Sequence, residues 1–340
     1  MKKVIIIAEA GVNHNGDIHI AKKLIDAAAK AGADFVKFQT FNARLMVSPA
    51  AKKARYQMEN MKIVKEKGQY DMLRKLELNR DAHKVLITCC KKKKIEFLSS
   101  PFDPESVELL RQLGLGVFKI PSGEITNLPL LKKIGKLKKK VILSTGMATM
   151  KETGEALKVI ISAGTKKENI TVLHCNSGYP TPMHDVNLKA MVAIRDKFKI
   201  KVGYSDHTMG IEVPVAAAAL GAEIIEKHFT LDKKMAGPDH KISLEPDELT
   251  AMVKAIRNIE MAMGSGVKKP TQSELKNLNV ARKSIHLRCN LNAGHIITED
   301  DLVMKRPGDG ISPMEIGKVV GKKIKYTLCE NHKLNSCDLK

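Results

Sequence analysis

Short aliphatic and β-branched runs alternate with stretches of helical periodicity over residues 1–265. The strand-like runs fall at residues 4–8, 35–39, 95–99, 116–121, 141–145, 170–175, 201–204 and 222–227. Amphipathic stripes with readable ends lie between them. Asp17 is placed to cap a helix whose Ala21, Leu24, Ile25 and Ala28 share one face, and Gly32 is placed to end it. Pro246 opens a last helix that carries Leu249, Met252, Val253 and Ile256 on the same spacing. Strand then helix, eight times in about 260 residues, predicts an α/β fold of the (β/α)8 TIM-barrel type. A doubly wound open sheet is the structural alternative, since strand order leaves no trace in periodicity.

Two stretches break the pattern. Residues 41–86 are far longer than an ordinary βα loop, include Arg55, Tyr56 and Gln57, and carry helical spacing around residues 72–78. An insertion of this kind on the loop face of a barrel shapes a pocket or a lid. After Gly264-Ser265-Gly266 and Pro270 the periodicity changes, which marks a linker. The expected organisation is a barrel over residues 1–265, a linker over 266–279 and a compact second domain over 280–340. A unit of about 60 residues is near the lower limit for standing alone and is expected to lean on the barrel or on a second subunit.

Composition narrows the classes. With 43% hydrophobic and 28% charged residues, the 340-residue chain can bury a large core. Its net charge of +21 comes from lysines spread over every segment, with no Trp. Nucleic-acid surfaces cluster basic residues with stacking aromatics, so no nucleic-acid partner is expected. The lysine runs at 91–94 and 138–140 read as solvated faces, although a positive field also concentrates an anionic substrate. Six cysteines without a CxxC pair read as reduced thiols. Glu9 interrupts the N-terminal apolar run, and no run approaches ~20 apolar residues, so a cytoplasmic protein without a membrane segment is expected.

The strand ends carry the chemistry. Seven runs finish in Glu9, in Lys37 with Gln39, in Lys119 with Ser122 and Glu124, in Ser144 with Thr145, in His174 with Asn176, in Ser205 with Asp206 and His207, and in Glu226 with His228. In a barrel these ends ring one face, where active sites are built. A lone histidine is more often a satisfied core residue than a ligand, but His207 and His228 on neighbouring strands can share a divalent ion and leave positions open. Lys37 and Lys119, with the hydroxyls of Ser122, Ser144 and Ser205, can neutralise a phosphate and a carboxylate; the plainer reading pairs one lysine with Glu9 or Glu124. Clustered carboxylates at Glu9, Glu124 and Glu226 can divide into acid, base and ligand roles. Neither a GxxxxGK[ST] loop nor a GxGxxG string is present, so nucleotide chemistry is not indicated.

Nine ordered strings carry a family resemblance. Glu9-Ala-Gly-Val-Asn-His-Asn-Gly16, Val36-Lys-Phe-Gln-Thr40, Ser99-Ser-Pro-Phe102, Lys119-Ile-Pro-Ser-Gly-Glu124 and Ser144-Thr-Gly-Met147 resemble the sialic acid synthases. So do His174-Cys-Asn176 followed by Tyr179-Pro-Thr-Pro182, Tyr204-Ser-Asp-His-Thr208, Glu226-Lys-His-Phe-Thr230 and Gly237-Pro-Asp239. The likeness continues through Lys305-Arg-Pro-Gly308 and so covers nearly the whole chain. It implies a TIM barrel followed by an antifreeze-like (SAF) domain in a domain-swapped homodimer. It further implies a divalent metal, most often manganese with magnesium or cobalt as alternatives, on His207 and His228.

The resemblance assigns phosphoenolpyruvate to Lys37, Lys119, Ser122, Ser144 and Ser205, with Asn176 and Ser177 beside them. An N-acetylamino sugar falls to Gln39, Tyr179, Glu226 and Asp239, and to Arg306 inserted from the second subunit. Glu9 and Glu124 are then the candidates for orienting water and stabilising positive charge. The implied product is N-acetylneuraminate, made from N-acetylmannosamine; the alternative acceptor is 2,4-diacetamido-2,4,6-trideoxymannose, which gives N,N'-diacetyllegionaminate. A pseudaminate synthase fits less well, and an inactive barrel with a carbohydrate-binding tail is the reading from another class. Ser177 and Gly178 depart from the threonine and acidic residue many members carry, and the segment after Gly321 follows the family tail only loosely.

Overall fold

The computed structural model describes residues 3–53, 55–60 and 68–340, with the side chains of Arg55, Tyr56 and Glu59 outside the description. Two compact units divide the chain, Met1–Gly264 and Ser265–Lys340.

In the first unit eight parallel strands run β1 (Ile5–Gly11), β2 (Phe35–Thr40), β3 (Glu96–Pro101), β4 (Val117–Ile120), β5 (Lys140–Ser144), β6 (Ile170–Cys175), β7 (Lys201–Asp206) and β8 (Ile224–His228). Each begins within two residues of the run expected for it. They pair in the order β3-β2-β1-β8-β7-β6-β5-β4. Consecutive strands other than β3 and β4 thus pair with each other, and β1 pairs with β8, without the reversal a doubly wound sheet requires. The end strands β3 and β4 lie against each other, which bends the sheet into a nearly closed barrel.

Helix positions follow from the caps and stripes. The helix Ile18–Lys30 is capped by Asp17, which accepts from the backbone N–H groups of His19 and Ile20, and it buries Ala21, Leu24, Ile25 and Ala28. Pro246 opens the helix Pro246–Ala262, and its Leu249, Met252, Val253 and Ile256 face the sheet. Inside the barrel Ile7, Leu98, Ile142, Leu173 and Ile224 form an apolar plug. At that level β7 carries Gly203, where a Cβ would stand 2.6 Å from Leu173 Cδ2 and 2.3 Å from the Ile224 carbonyl oxygen. Each plug residue lies two positions before an inward residue such as Glu9, Ser100, Ser144, Cys175 or Glu226, so these gather on the C-terminal side of the plug.

The insertion after β2 folds as short helices, Ala43–Met46, Arg55–Asn60 and Gln69–Arg74, the last set slightly earlier than its sequence spacing suggests. Phe41, Ala43, Met72, Leu73 and Leu76 join Val12 in a separate apolar cluster over the mouth of the barrel.

In the second unit, β9 (Ser284–Leu287) and β10 (Leu302–Lys305) pair antiparallel beside a small core that includes Ile285, Leu287, Leu291, Ile297, Ile324 and Leu334. Part of the expected linker is ordered as the helix Gln272–Ala281, because Thr271 and Glu274 form a capping box at its start. The unit also repeats itself at a spacing of 37 residues. Leu291, His295, Asp301 and Leu302 recur as Leu328, His332, Asp338 and Leu339. The bonds recur with them: Leu291 and Leu328 exchange backbone N–H···O bonds at 2.9 Å each, and Gly294 N to Ile324 O (2.7 Å) mirrors Asn331 N to Leu287 O (2.9 Å). His295 bonds Asp301 at 2.9 Å as His332 bonds Asp338 at 3.0 Å. The segment after Gly321 is therefore the second half of a two-fold arrangement.

Three histidines away from the cavity are enclosed in the barrel unit. Burial lowers His14 and His240 to about 4 and also lowers His83. An unfolded chain takes up these protons near pH 6.5 and the folded one does not, so stability falls as pH drops from about 6.5 towards 4. Each strongly shifted ring contributes up to roughly 3 kcal/mol to that loss. Thermal unfolding should fall by roughly 10 °C or more across the window, and His14→Leu should flatten the slope. A melting temperature that stays level between pH 7 and 4.5 contradicts this.

Candidate active site

The C-terminal strand ends surround a cavity of about 410 Å³. Alternation along the strands decides what enters it, because successive side chains point to opposite faces. Glu9, Lys37, Gln39, Lys119, Ser144, Ser205, Glu226 and His228 all point inward, and His207 follows from the end of β7.

Four charges interlock on the cavity floor. Lys37 Nζ lies 3.1 Å from Glu9 Oε2 and 3.5 Å from Glu226 Oε2. Lys119 Nζ lies 3.5 Å from Glu226 Oε1. Hydroxyls complete the array: Lys37 donates to Ser100 Oγ at 3.1 Å, Lys119 to Ser144 Oγ at 2.7 Å, and Ser205 Oγ to Glu226 Oε1 at 2.9 Å. Burial favours the neutral form of every member, and the neighbours then set which one yields. Burial raises Glu226, but Lys119 and Lys37 outweigh it and hold the carboxyl at about 2. Burial also raises Glu9, to about 7, and Lys37 offsets it only in part. For Lys37, Glu226 and Glu9 overcome burial and lift the ammonium above its ordinary range, whereas burial prevails at Lys119 and lowers it. One carboxylate is thus a fixed anion and the other a proton acceptor near neutrality.

Beside this floor stands the imidazole pair. The ring centroids of His207 and His228 are 5.4 Å apart, and Tyr179 packs 4.3 Å from the first and 6.3 Å from the second. His207 Nδ1 bonds the Asn176 carbonyl at 2.6 Å. A carbonyl only accepts, so Nδ1 carries the hydrogen and Nε2 of the neutral ring is left for a ligand. His228 Nδ1 is buried without a hydrogen-bond partner. Burial, His207 and Lys37 together hold His228 well below its usual range, hence neutral. Burial lowers His207 too, but Cys175, 3.7 Å away, and the Asn176 carbonyl outweigh it and raise the ring. Among the described residues no group of three or more His, Cys, Asp or Glu side chains is placed to hold a metal. The two rings are nonetheless close enough to reach one ion at the ~2.1 Å of a metal–imidazole bond. Asp239, raised to about 6 by burial and lowered by His207, lines the same cavity.

Another part of the lining, drawn largely from the insertion after β2, combines the apolar Val12, Met46, Met72, Leu73, Leu76 and Phe102 with Gln57 and Gln69. Gly146 lets two hydroxyls converge near the floor: a Cβ there would meet Ser177 Oγ at 2.3 Å and Ser122 Oγ at 2.8 Å, and its N–H donates to Ser122 Oγ at 2.9 Å.

Most residues singled out in the sequence meet here, and some do not. Ser122, Ser177, Tyr179 and Asp239 line the cavity with the floor residues and both histidines. Asn176 contributes its carbonyl, while its side chain accepts from Gly178 N at 2.7 Å. Glu124 is not among the lining residues; it ends the turn Ser122–Glu124 and accepts from Asn127 Nδ2 at 2.6 Å. His174, Thr145 and Asp206, counted among the strand ends, also lie off the cavity lining. His174 bonds the Val186 carbonyl at 2.9 Å, and Thr145 Oγ1 the Leu173 carbonyl at 3.0 Å. Arg306 belongs to the small unit, where it is exposed and its Nε donates to Ala281 O at 3.0 Å. Ser100 and Cys175 were not assigned a role in the sequence, yet both line the cavity. Ser100 was within reach of pattern reasoning, since it is the register partner of Gln39.

Fold and site define a barrel whose strand ends bring paired ammonium groups and paired imidazoles into one cavity. Residues 24–268 match the NeuB family and residues 282–331 the SAF domain. The N,N'-diacetyllegionaminic acid synthase of Campylobacter jejuni is 58% identical over 322 residues, 95% of this chain and 96% of that protein. The enzyme of the same name from Legionella pneumophila is 46% identical, over 95% and 91%. The crystal structure of the N-acetylneuraminic acid (sialic acid) synthetase from Leptospira borgpetersenii superposes with a TM-score of 0.71 at 35% identity, covering 81% of this chain and 90% of that one. The chain belongs to the NeuB family, the nonulosonic acid synthases, and carries a SAF domain. It is a condensing enzyme of the phosphoenolpyruvate-dependent class.

Proposed function

We propose that the enzyme condenses phosphoenolpyruvate with 2,4-diacetamido-2,4,6-trideoxymannose to give N,N'-diacetyllegionaminate and phosphate. The observation that carries this reading is the mixed character of the cavity, with Lys37 and Lys119 on a charged floor and Met72 and Leu73 among the apolar residues of its wall. A three-carbon donor with a phosphate and a carboxylate suits paired ammonium groups and hydroxyls. A sugar bearing two acetamido methyls and a 6-deoxy carbon suits the wall better than N-acetylmannosamine, whose C6 carries a hydroxyl. The two most identical relatives above support the same acceptor. The acceptor order expected from the sequence is thereby reversed.

A divalent ion on His207 and His228, manganese by preference, would polarise the aldehyde oxygen of the open-chain sugar. Lys37, Lys119, Ser122 and Ser144 hold the donor so that its C3 faces the aldehyde carbon. C3 attacks the aldehyde carbon, the C=O π pair moves to oxygen, which takes a proton from solvent, and positive charge develops at C2 beside the Glu226 carboxylate. Water adds at C2, giving one proton to Glu9, and the C2–O bond to phosphate then breaks as the new hydroxyl passes its remaining proton to the departing phosphate, leaving the ketone. Arg306, whose terminal nitrogens make no bond among the described residues, would hold an acetamido group from the small unit of a second chain in a homodimer.

Phosphate release measured with each sugar tests the acceptor. Release should be at least ~10-fold faster per unit of substrate with the diacetamido sugar, the discrimination an apolar pocket gives for a methyl-sized difference. Met72→Gln should erode that preference. Release with N-acetylmannosamine alone would assign the neuraminate reaction instead, and release with neither sugar would favour a binding module. Arg306→Ala should raise KM for the sugar far more than KM for phosphoenolpyruvate; equal losses would remove the proposed contact.

A further inference from the structure

β7 and β8 present the two imidazoles on one face and a second charge pair on the other. Asp206 and Lys227 are register partners on these strands, and each directly precedes one of the histidines, His207 and His228. Both side chains are sealed from solvent. Lys227 Nζ donates to Asp206 Oδ2 and to the Thr208 carbonyl. Thr208 in turn donates to Asp206 Oδ1 through its N–H at 3.1 Å and its Oγ1 at 3.0 Å.

The place of this network is informative. The β7–β8 ladder ends at Asp206 and Lys227, so His207 lies one residue past the last paired position. Its carbonyl accepts from Thr181 N at 2.9 Å. Otherwise the backbone at that point is bracketed by Lys227, which binds the residue before His207 and the residue after it. Lys227 also shares a peptide bond with His228. A single ammonium group therefore joins the backbone of one imidazole to that of the other. A buried ion pair is a weak source of stability that apolar residues can replace, and setting a geometry is the role such pairs are better suited to.

We propose that Asp206, Lys227 and Thr208 form a clasp that sets the separation of His207 and His228, and are positioning residues for the divalent cation those histidines hold. This rests on the metal reading given above. Supporting groups around a metal site typically change its affinity by about 10–100-fold when removed. Among the described residues no hydrogen bond or ion pair joins the clasp to Lys37 or Lys119, so donor binding is expected to be independent of it.

The test uses the full chain and Mn2+ as the probe, titrated by calorimetry alongside thermal unfolding and phosphoenolpyruvate binding. The double variant Asp206→Leu/Lys227→Met removes both charges together, so neither is left buried alone. It should melt within a few degrees of the parent and bind phosphoenolpyruvate as before, but bind Mn2+ at least ~10-fold more weakly. Parent-like Mn2+ affinity in that folded variant overturns the clasp while leaving the metal reading intact. A parent that binds no Mn2+, with His207→Ala and His228→Ala indistinguishable from it, overturns the metal reading and the clasp with it. If the double variant does not fold, Thr208→Val carries the test: several-fold weaker Mn2+ binding supports the clasp and unchanged binding overturns it.

Discussion

Lys37→Met is expected to lower kcat/KM for phosphoenolpyruvate by about a thousandfold or more, equivalent to ~4 kcal/mol of transition-state stabilisation. Two effects add. The ammonium is a charge-assisted donor buried on the cavity floor, where a low dielectric strengthens its hold on an anion. It is also the partner of two carboxylates at once, Glu9 at 3.1 Å and Glu226 at 3.5 Å. Removing it leaves buried negative charge facing an anionic substrate, and breaking such a pair on one side costs about 3–5 kcal/mol. Ser100→Ala, which removes only a hydroxyl partner of the same lysine, should cost roughly tenfold or less. Steady-state phosphate release and calorimetric donor binding read both. If Lys37→Met bound the donor as tightly as the parent, the charged floor would not be the donor site.

The same pattern of charges explains how much could be read from the chain. Inward positions at strand ends obey the period of two, so Lys37 with Gln39 and Glu226 with His228 were legible once the strands were placed. Alternation sorts each strand end: His174 and Asp206 turn away while Cys175 and His207 turn in. Glu124 lies past the end of β4 on a turn, where no period applies, and Asn127 holds its carboxylate. Asn176 acts through a carbonyl, which any residue could supply, so its identity says little about that contact.

Other features escaped for different reasons. The helix Gln272–Ala281 had its signal in Thr271 and Glu274, but the neighbouring Gly264, Gly266 and Pro270 read more loudly as a linker. The 37-residue repeat of the small unit keeps only its structural corners: a Leu at either end, a positive-φ residue as Gly294 or Asn331, a buried aliphatic as Ile297 or Leu334, and a His–Asp pair. Most residues between are exposed or half-buried and free to differ, so the tail looks unlike its own first half. The apolar part of the cavity wall leaves the least trace in the sequence. Its Met72 and Leu73 read locally as the buried face of a short helix, and only the fold shows that the cluster they join also borders the cavity.

Chelation should abolish phosphate release by a hundredfold or more, with Mn2+ restoring it, and His228→Ala should not be restorable. His228 is neutral, buried and has no hydrogen-bond partner for Nδ1. A polar nitrogen left in that state costs about 1–3 kcal/mol unless something binds it. Nearby, the Asn176 carbonyl fixes the tautomer of His207 and frees its other nitrogen. Nothing in folding alone favours two imidazoles 5.4 Å apart with acceptors uncovered, whereas a shared cation uses both. Lewis-acid activation of a carbonyl is worth several kcal/mol, which sets the expected loss. Calorimetry should show Mn2+ affinity falling with His207→Ala as well as with His228→Ala, while phosphoenolpyruvate still binds each variant through Lys37 and Lys119. Full activity in the presence of a chelator that strips Mn2+ from solution would remove the ion from the reaction and leave the paired rings to be explained by direct contact with the sugar.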